Sequence, residues 1–154
     1  MTDPIRLLLA DDQQMVRAGF RLVLDAQPDM SVVGEANDGA EAVQLVDELA
    51  PDVVLMDIRM PVLDGLGATE KIMTGHPEAK ILVLTTFDLD EYVHSALRAG
   101  ASGFMLKDAG PTELLAAIRA VRDGDSVVAP SATRRLIERI IPRQGEGAAT
   151  TTDP

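Results

Sequence analysis

A chain of 154 residues, 46% hydrophobic and 25% charged, can bury one domain plus a short appendage, which excludes wholesale disorder. It has no cysteine, which rules out disulfides and thiolate metal sites and agrees with a reducing compartment. A net charge of −11 is the wrong sign for a nucleic-acid surface, and the absence of a long apolar stretch or signal region leads us to expect a cytoplasmic chain without a membrane span.

Strand and helix patterns alternate from the N-terminus. Ile5-Arg6-Leu7-Leu8-Leu9-Ala10 reads as a buried strand that runs into two acids, Asp11 and Asp12. Val16, Phe20, Val23 and Leu24 then share a helical face. A second strand is expected over 31–36, followed by a helix aligned on Ala42, Leu45, Val46 and Leu49. Asp38 stands three residues before Glu41 and can cap that helix in a box-like arrangement. Val53-Val54-Leu55-Met56 is a third buried strand with Asp57 at its end, and a helical pattern follows near 66–74. A fourth strand over 80–85 closes on Thr85. Val93, Ala96 and Leu97 mark the fourth helix, which Gly100 suits as a terminator, with Asp88, Asp90 and Glu91 near its start. The fifth strand, over 102–107, carries Phe104 and ends on Lys107. Pro111 fits the first turn of a fifth helix, where a missing N–H costs little, and Leu114, Ala117, Ile118 and Val121 form its apolar face.

The pattern changes after Gly124. Ser126-Val127-Val128-Ala129 can form a short extended piece, and Ser131 can cap a brief helix containing Leu136, Ile137, Ile140 and Ile141. The expected organisation is one domain over 1–124, a linker with a short helix over 125–141, and a disordered tail over 142–154. Alternation at this spacing favours a doubly wound α/β sandwich with a parallel sheet and helices on both faces.

In such a sheet, strand ends of one polarity meet along one edge. Charged groups just after buried strands are poor core material, so Asp11, Asp12, Asp57 and Lys107 suggest a site there. A carboxylate can attack a phosphoryl group to form an acyl phosphate, which makes Asp57 a candidate acceptor. An anion attacking an anion needs positive charge nearby. Mg²⁺ held with the help of Asp11 and Asp12 could supply it, as could Lys107, which can pair with Asp57 and then with phosphoryl oxygens. Thr85 offers a hydroxyl at the same edge. One Asp after a strand is more often a turn or helix cap, and only the ordered set carries weight. By periodicity alone, Phe104 reads equally well as ordinary core. Met56, Met60 and Met105 read as gap-filling core, His76 and His94 as exposed helix-end or surface residues rather than ligands, and Arg134, Arg135 and Arg139 as a solvated face.

At these residues the chain resembles the receiver domains of two-component response regulators. The resemblance rests on Asp11-Asp12, on Asp57-Ile58-Arg59-Met60-Pro61-Val62-Leu63-Asp64-Gly65, on Thr85-Thr86, and on Gly100-Ala101-Ser102-Gly103-Phe104-Met105-Leu106-Lys107. It covers about residues 5–124 and implies a five-stranded flavodoxin-like sheet in the order 2-1-3-4-5. It also implies that Asp57 is the phosphoacceptor and Lys107 the phosphate-binding lysine. Asp12 and Asp57 would hold Mg²⁺ by their side chains, Arg59 by its backbone carbonyl, and Asp11 through water. Thr85 and Phe104 would form a switch pair, Thr85 moving toward the phosphoryl group and Phe104 turning inward. The implied donor is a sensor histidine kinase. Receivers of this kind often pair as homodimers through the face of the fourth helix, fifth strand and fifth helix, or through helices one and five; nothing in the sequence chooses between them, and Tyr92, Val93 and Leu97 are candidate contacts only if exposed. Leu84-Thr85-Thr86-Phe87-Asp88 and Leu106-Lys107-Asp108-Ala109 resemble the subfamily with a C-terminal LuxR-type helix-turn-helix. DNA would then be read by a domain outside these residues. Many receivers have proline where Asp108 stands, which leaves the isomer of the Lys107–Asp108 bond open. The competing reading is an aspartyl-phosphate phosphotransferase or phosphatase acting on a separate substrate. A flavodoxin-like flavin binder is disfavoured, because no loop rich in Ser, Thr and Gly follows the first strand.

Overall fold

The computed structural model describes residues 3–85, 90–125 and 127–128, with backbone alone at 90–93 and 127–128. The element order is β1 (Ile5–Ala10), α1 (Gln14–Asp25), β2 (Met30–Ala36), α2 (Gly39–Leu49), β3 (Val53–Asp57), α3 (Gly65–Gly75), β4 (Ile81–Thr85), α4 (Asp90–Arg98), β5 (Gly103–Leu106), α5 (Pro111–Arg122) and β6 (Val127–Val128). The strands form one parallel sheet in the order β2-β1-β3-β4-β5-β6. The five expected strands thus appear in the order 2-1-3-4-5. To the five-stranded reading the structure adds β6, which extends the sheet beside β5 through the pairs Gly103↔Val127 and Phe104↔Val128. The short helix expected within 131–141, the tail over 142–154, Arg134, Arg135 and Arg139 lie outside the described residues. So do Thr86, Phe87 and Asp88, and the side chains of Tyr92 and Val93.

Every residue of β3 and β4 is buried, as expected of central strands with helices packed on both faces. The core is aliphatic: Leu7, Leu8, Leu55, Ile72, Ile81, Leu82 and Ile118 are all at most 2% exposed, each contributing about 1.5–3 kcal/mol by burial. Phe104 joins them at 0% exposure.

Local chemistry sets the helix ends. Asp38 accepts a hydrogen bond from the Glu41 N–H at 2.8 Å, as the sequence predicts. The Glu41 carboxylate reaches back to the N–H of Asn37 at 2.6 Å, one residue before the N-cap. The region near 66–74 is a full helix, with Asp64 capping it through the Gly67 N–H at 2.8 Å. At the end of α4, Gly100 has φ +106° and its N–H bonds to the Leu97 carbonyl at 3.1 Å. The Ala101 N–H bonds to the Ala96 carbonyl at 3.0 Å, which completes a Schellman closure that needs a left-handed residue at position 100.

β2 carries one irregularity that bears on the site. The pairing with β1 shifts between Leu7 and Leu8, so that Leu7 faces Val32 while Leu8 faces Gly34. The extra residue, Val33, reverses the side-chain alternation beyond it and sets Glu35 opposite Leu9. The strand order changes direction between β1 and β3, and in open α/β sheets the crevice at that point, outside the carboxyl ends of the strands, is where ligands sit.

Candidate functional site

That crevice receives the acidic residues. β1 ends one residue before Asp11-Asp12, and Asp57 is the last residue of β3. Asp11 and Asp57 are buried, at 3% and 7% exposure, while Asp12 is open to solvent. One carboxylate oxygen from each of the three lies within 4.8 Å of the others. Three carboxylates so close repel one another, and a hard divalent cation relieves that repulsion with oxygen ligands it favours. Asp12 faces solvent, so a cation held by these carboxylates would be reachable from the solvent side.

Lys107 follows β5 and brings the compensating charge. Its Nζ is 2.5 Å from Asp11 Oδ2 and 3.3 Å from Asp57 Oδ1, so the lysine faces both acids but sits closer to Asp11. The Lys107 N–H bonds to the Thr85 carbonyl at 2.7 Å and anchors the residue to the end of β4. The peptide between Lys107 and Asp108 is trans. Burial pushes the Asp57 carboxyl up to about 6; the Lys107 charge works against this, while Asp11 and Asp12 add to it. At neutral pH the group is therefore mostly ionised and nucleophilic, with little margin.

Asp11 is held at every polar atom. Its N–H donates to the Ala36 carbonyl at 3.1 Å, and Oδ1 accepts from the Gln13 N–H at 2.8 Å, forming an Asx-type turn into α1. Oδ2 takes Lys107, and its carbonyl accepts a hydrogen bond from Arg17 Nη1.

The remaining expected residues line the same edge. Thr85 is 3% exposed at the end of β4, and Phe104 lies two residues back along β5 from its last residue, already inside the core. Exposed Arg59 borders a shallow cleft with Asp12, Ile58, Met60, Pro61 and Asp64. Below it, Gly65 starts α3 against the strand that carries Asp57: its N–H bonds to the Ile58 carbonyl at 2.7 Å, and a Cβ there would stand 2.0 Å from the Asp57 carbonyl oxygen. Arg17, Glu35 and Gly65 belong to the architecture of this site, yet composition and periodicity alone did not single them out.

Between Arg59 and Gly65 the loop is strained. Val62 has φ +71° and is 83% exposed, and the Leu63 N–H closes a three-residue turn onto the Pro61 carbonyl at 2.7 Å. A β-branched residue is disfavoured at positive φ, by about 1–2 kcal/mol. Val62→Asn is expected to raise unfolding stability by about 1 kcal/mol, because asparagine tolerates this conformation and little packing is lost. Urea unfolding checks this; a lower midpoint would mean that the exposed valine makes contacts that outweigh its backbone strain.

Elsewhere, a cleft of about 670 Å³ opens at the opposite end of the sheet among Asp3, Arg6, His76, Glu78, Lys80 and Arg122. Its charges are of both signs, and two of them are engaged locally: Lys80 Nζ donates to the Arg122 carbonyl at 2.7 Å, and His76 Nε2 sits 2.5 Å from Asp47. His76 is the C-cap of α3, a helix-end position as the sequence suggests. No helix among the described residues is long and apolar enough to cross a membrane.

The response regulator receiver domain family is matched over residues 7–119. The chain is 48% identical over 135 residues to the transcriptional regulatory protein YxjL of Bacillus subtilis, covering 88% of this chain and 62% of that one. It is 46% identical over 151 residues to the oxygen regulatory protein NreC of Staphylococcus aureus, covering 97% and 70%. Among solved structures, a two-component response regulator of the LuxR family from Aurantimonas superposes with a TM-score of 0.86 at 34% identity, over 90% of this chain and 99% of that one. The chain therefore spans about two thirds of the length of these two curated relatives.

Proposed function

Because the chain belongs to the response regulator receiver family, we propose that it is a phosphorylation-controlled signalling module whose Asp57 takes a phosphoryl group from a sensor histidine kinase. The observation that carries this reading is the buried, ionisable Asp57 carboxylate at the switch point of the sheet, flanked by two further acids and by Lys107. One Asp57 oxygen forms the new O–P bond as the P–N bond to the donor imidazole breaks; that nitrogen keeps the bonding electron pair. Lys107 is placed to follow the charge from carboxylate to phosphoryl oxygens.

The all-oxygen donor set fits Mg²⁺. Asp12, Asp57 and the backbone carbonyl of Arg59 would hold it, and when bound it supplies the positive charge that lets two anions meet. Asp11 would act through water, a role supported by its carboxylate being already committed to Gln13 and Lys107. Thr85 and Phe104 form the switch pair in this reading. Phe104 is inward here, so the conformation favoured by phosphorylation would be one that keeps it there. The module acts on its own Asp57 rather than on a separate substrate, works in the cytoplasm, and serves transcription control, as the names of its relatives suggest. With a net charge of −11 it contributes no DNA-reading surface of its own, so DNA would be contacted through a domain outside these residues.

Intact-protein mass after incubation with a small-molecule acyl phosphate tests this. One added phosphoryl group is expected with Mg²⁺ and none in excess EDTA. Equal labelling in EDTA, or none from folded protein with Mg²⁺, would overturn it.

A further inference from the structure

Arg17 is a buried cation that the proposed chemistry does not use. It lies on the first turn of α1 and is 7% exposed, a costly position for a guanidinium unless it is paired. Its two partners lie on different elements. Nε is 2.8 Å from Glu35 Oε1 on β2, and Nη1 donates to the backbone carbonyl of Asp11. Glu35 is shared with Arg21 Nη1, and the paired arginines hold its carboxyl below the usual carboxylate range, the Arg17 hydrogen bond foremost. The bulge at Val33 gives Glu35 the register in which it meets α1.

We infer that Arg17, fixed by Glu35, is a positioning residue for the cation site formed by Asp11 and Asp12. The guanidinium ties the helix and the neighbouring strand to the carbonyl of Asp11, the atom that joins Asp11 to Asp12. With that carbonyl fixed on one side, and the Asp11 carboxylate fixed by Gln13 and Lys107 on the other, the direction in which Asp12 leaves the chain is set. A planar guanidinium can span two such partners with separate nitrogens; a lysine ammonium on its flexible stem does not hold that geometry. The inference rests on the proposed Mg²⁺ site.

Its sign separates positioning from plain electrostatics. Removing a cation that is bonded to the backbone of Asp11, next to the acidic cluster, should by charge alone tighten binding of a dication. Loss of a residue that orients ligands weakens it instead, typically by about 10–100-fold. Mg²⁺ titration of ¹⁵N-labelled protein, followed by amide shifts at constant ionic strength without phosphodonor, reads the affinity and shows whether each variant is folded. Arg17→Met and Arg17→Lys are each expected to weaken Mg²⁺ by about 10-fold, Glu35→Gln by less, and Arg21→Gln by less than about twofold. Acyl-phosphate labelling of the two Arg17 variants should recover toward the wild-type rate at saturating Mg²⁺. Tighter binding by Arg17→Met, wild-type affinity in Arg17→Lys, or a labelling rate still depressed at saturation would each overturn the inference. If Arg17→Met does not fold, Arg17→Lys and Glu35→Gln decide it. Wild-type protein that binds Mg²⁺ no better than Asp12→Asn would refute the functional reading itself. Normal wild-type binding with unchanged Arg17 variants would refute only the positioning role.

Discussion

Asp57→Asn is expected to take up no phosphoryl group while becoming more stable than the wild type. The first half follows from chemistry: the amide cannot form the acyl phosphate, and removing a covalent nucleophile costs about 10⁶ in rate in enzymes that use one. The second half follows from burial. The folded-state value of about 6 lies above the ordinary 3.8, so ionising Asp57 opposes folding. The favourable contribution of the protonated acid is complete below the unfolded value and is lost as pH rises through about 6. At neutral pH without metal, the difference amounts to about 3 kcal/mol as an upper figure, and the neutral amide should recover about 1–3 kcal/mol of it. Urea unfolding in EDTA should show the variant ahead at pH 7.5, with its lead shrinking as pH falls toward 4. Mg²⁺ should raise the wild-type midpoint more than the variant's. A lead that grows on acidification would contradict the burial argument, whereas an adduct on Asp57→Asn would move the acceptor to another residue.

Gly65→Ala is expected to damage both the fold and the site. The added Cβ would lie 2.0 Å from the Asp57 carbonyl oxygen, 2.8 Å from its carbon and 2.9 Å from Ile58 Cα. All three are backbone atoms, so no side chain can swing away; α3 or the end of β3 must shift. Overpacking of this kind costs about 3 kcal/mol, and a displacement of about 1 Å at a reacting group costs about 100-fold in rate. Gly75→Ala is the matched control on the same helix, because nothing lies within 4 Å of its Cβ position. Urea midpoints and acyl-phosphate labelling rates of the two variants provide the comparison. A Gly65→Ala protein that behaves like Gly75→Ala would show that the α3 start yields without disturbing Asp57.

The sequence made the acidic cluster legible because a polar residue that closes an apolar run is conspicuous. Asp11, Asp57, Thr85 and Lys107 all stand at such points, and the parallel sheet brings them to one edge. Arg17 was harder to see, since helical periodicity counts a charge as solvent-facing. A signal was present nonetheless: position 17 shares its face with Phe20 and Leu24, at spacings of three and seven. Glu35 could not be placed, because its facing depends on a one-residue bulge that no local pattern announces. Gly65 entered only as the last residue of the stretch that carries the resemblance, and its tight approach to Asp57 exists only after β3 and α3 have packed. The strand at Val127–Val128 was visible as extended chain, but its partner was not, since pairing with β5 requires α5 to return the chain across the sheet.

That last pairing has a practical consequence for where this unit can be cut. A chain shortened to Gly124 would leave β5 as the outer strand, with Gly103 and Phe104 presenting unsatisfied backbone groups to the solvent. Bare strands of this kind recruit other chains, so the shortened protein should self-associate where one that keeps Val127 and Val128 does not. The two valines thus act as a selvedge, the finished border that stops a fabric fraying. They also act as a tether: Val128 is paired directly with Phe104, so the end of β6 is bound to the residue at the centre of the expected switch.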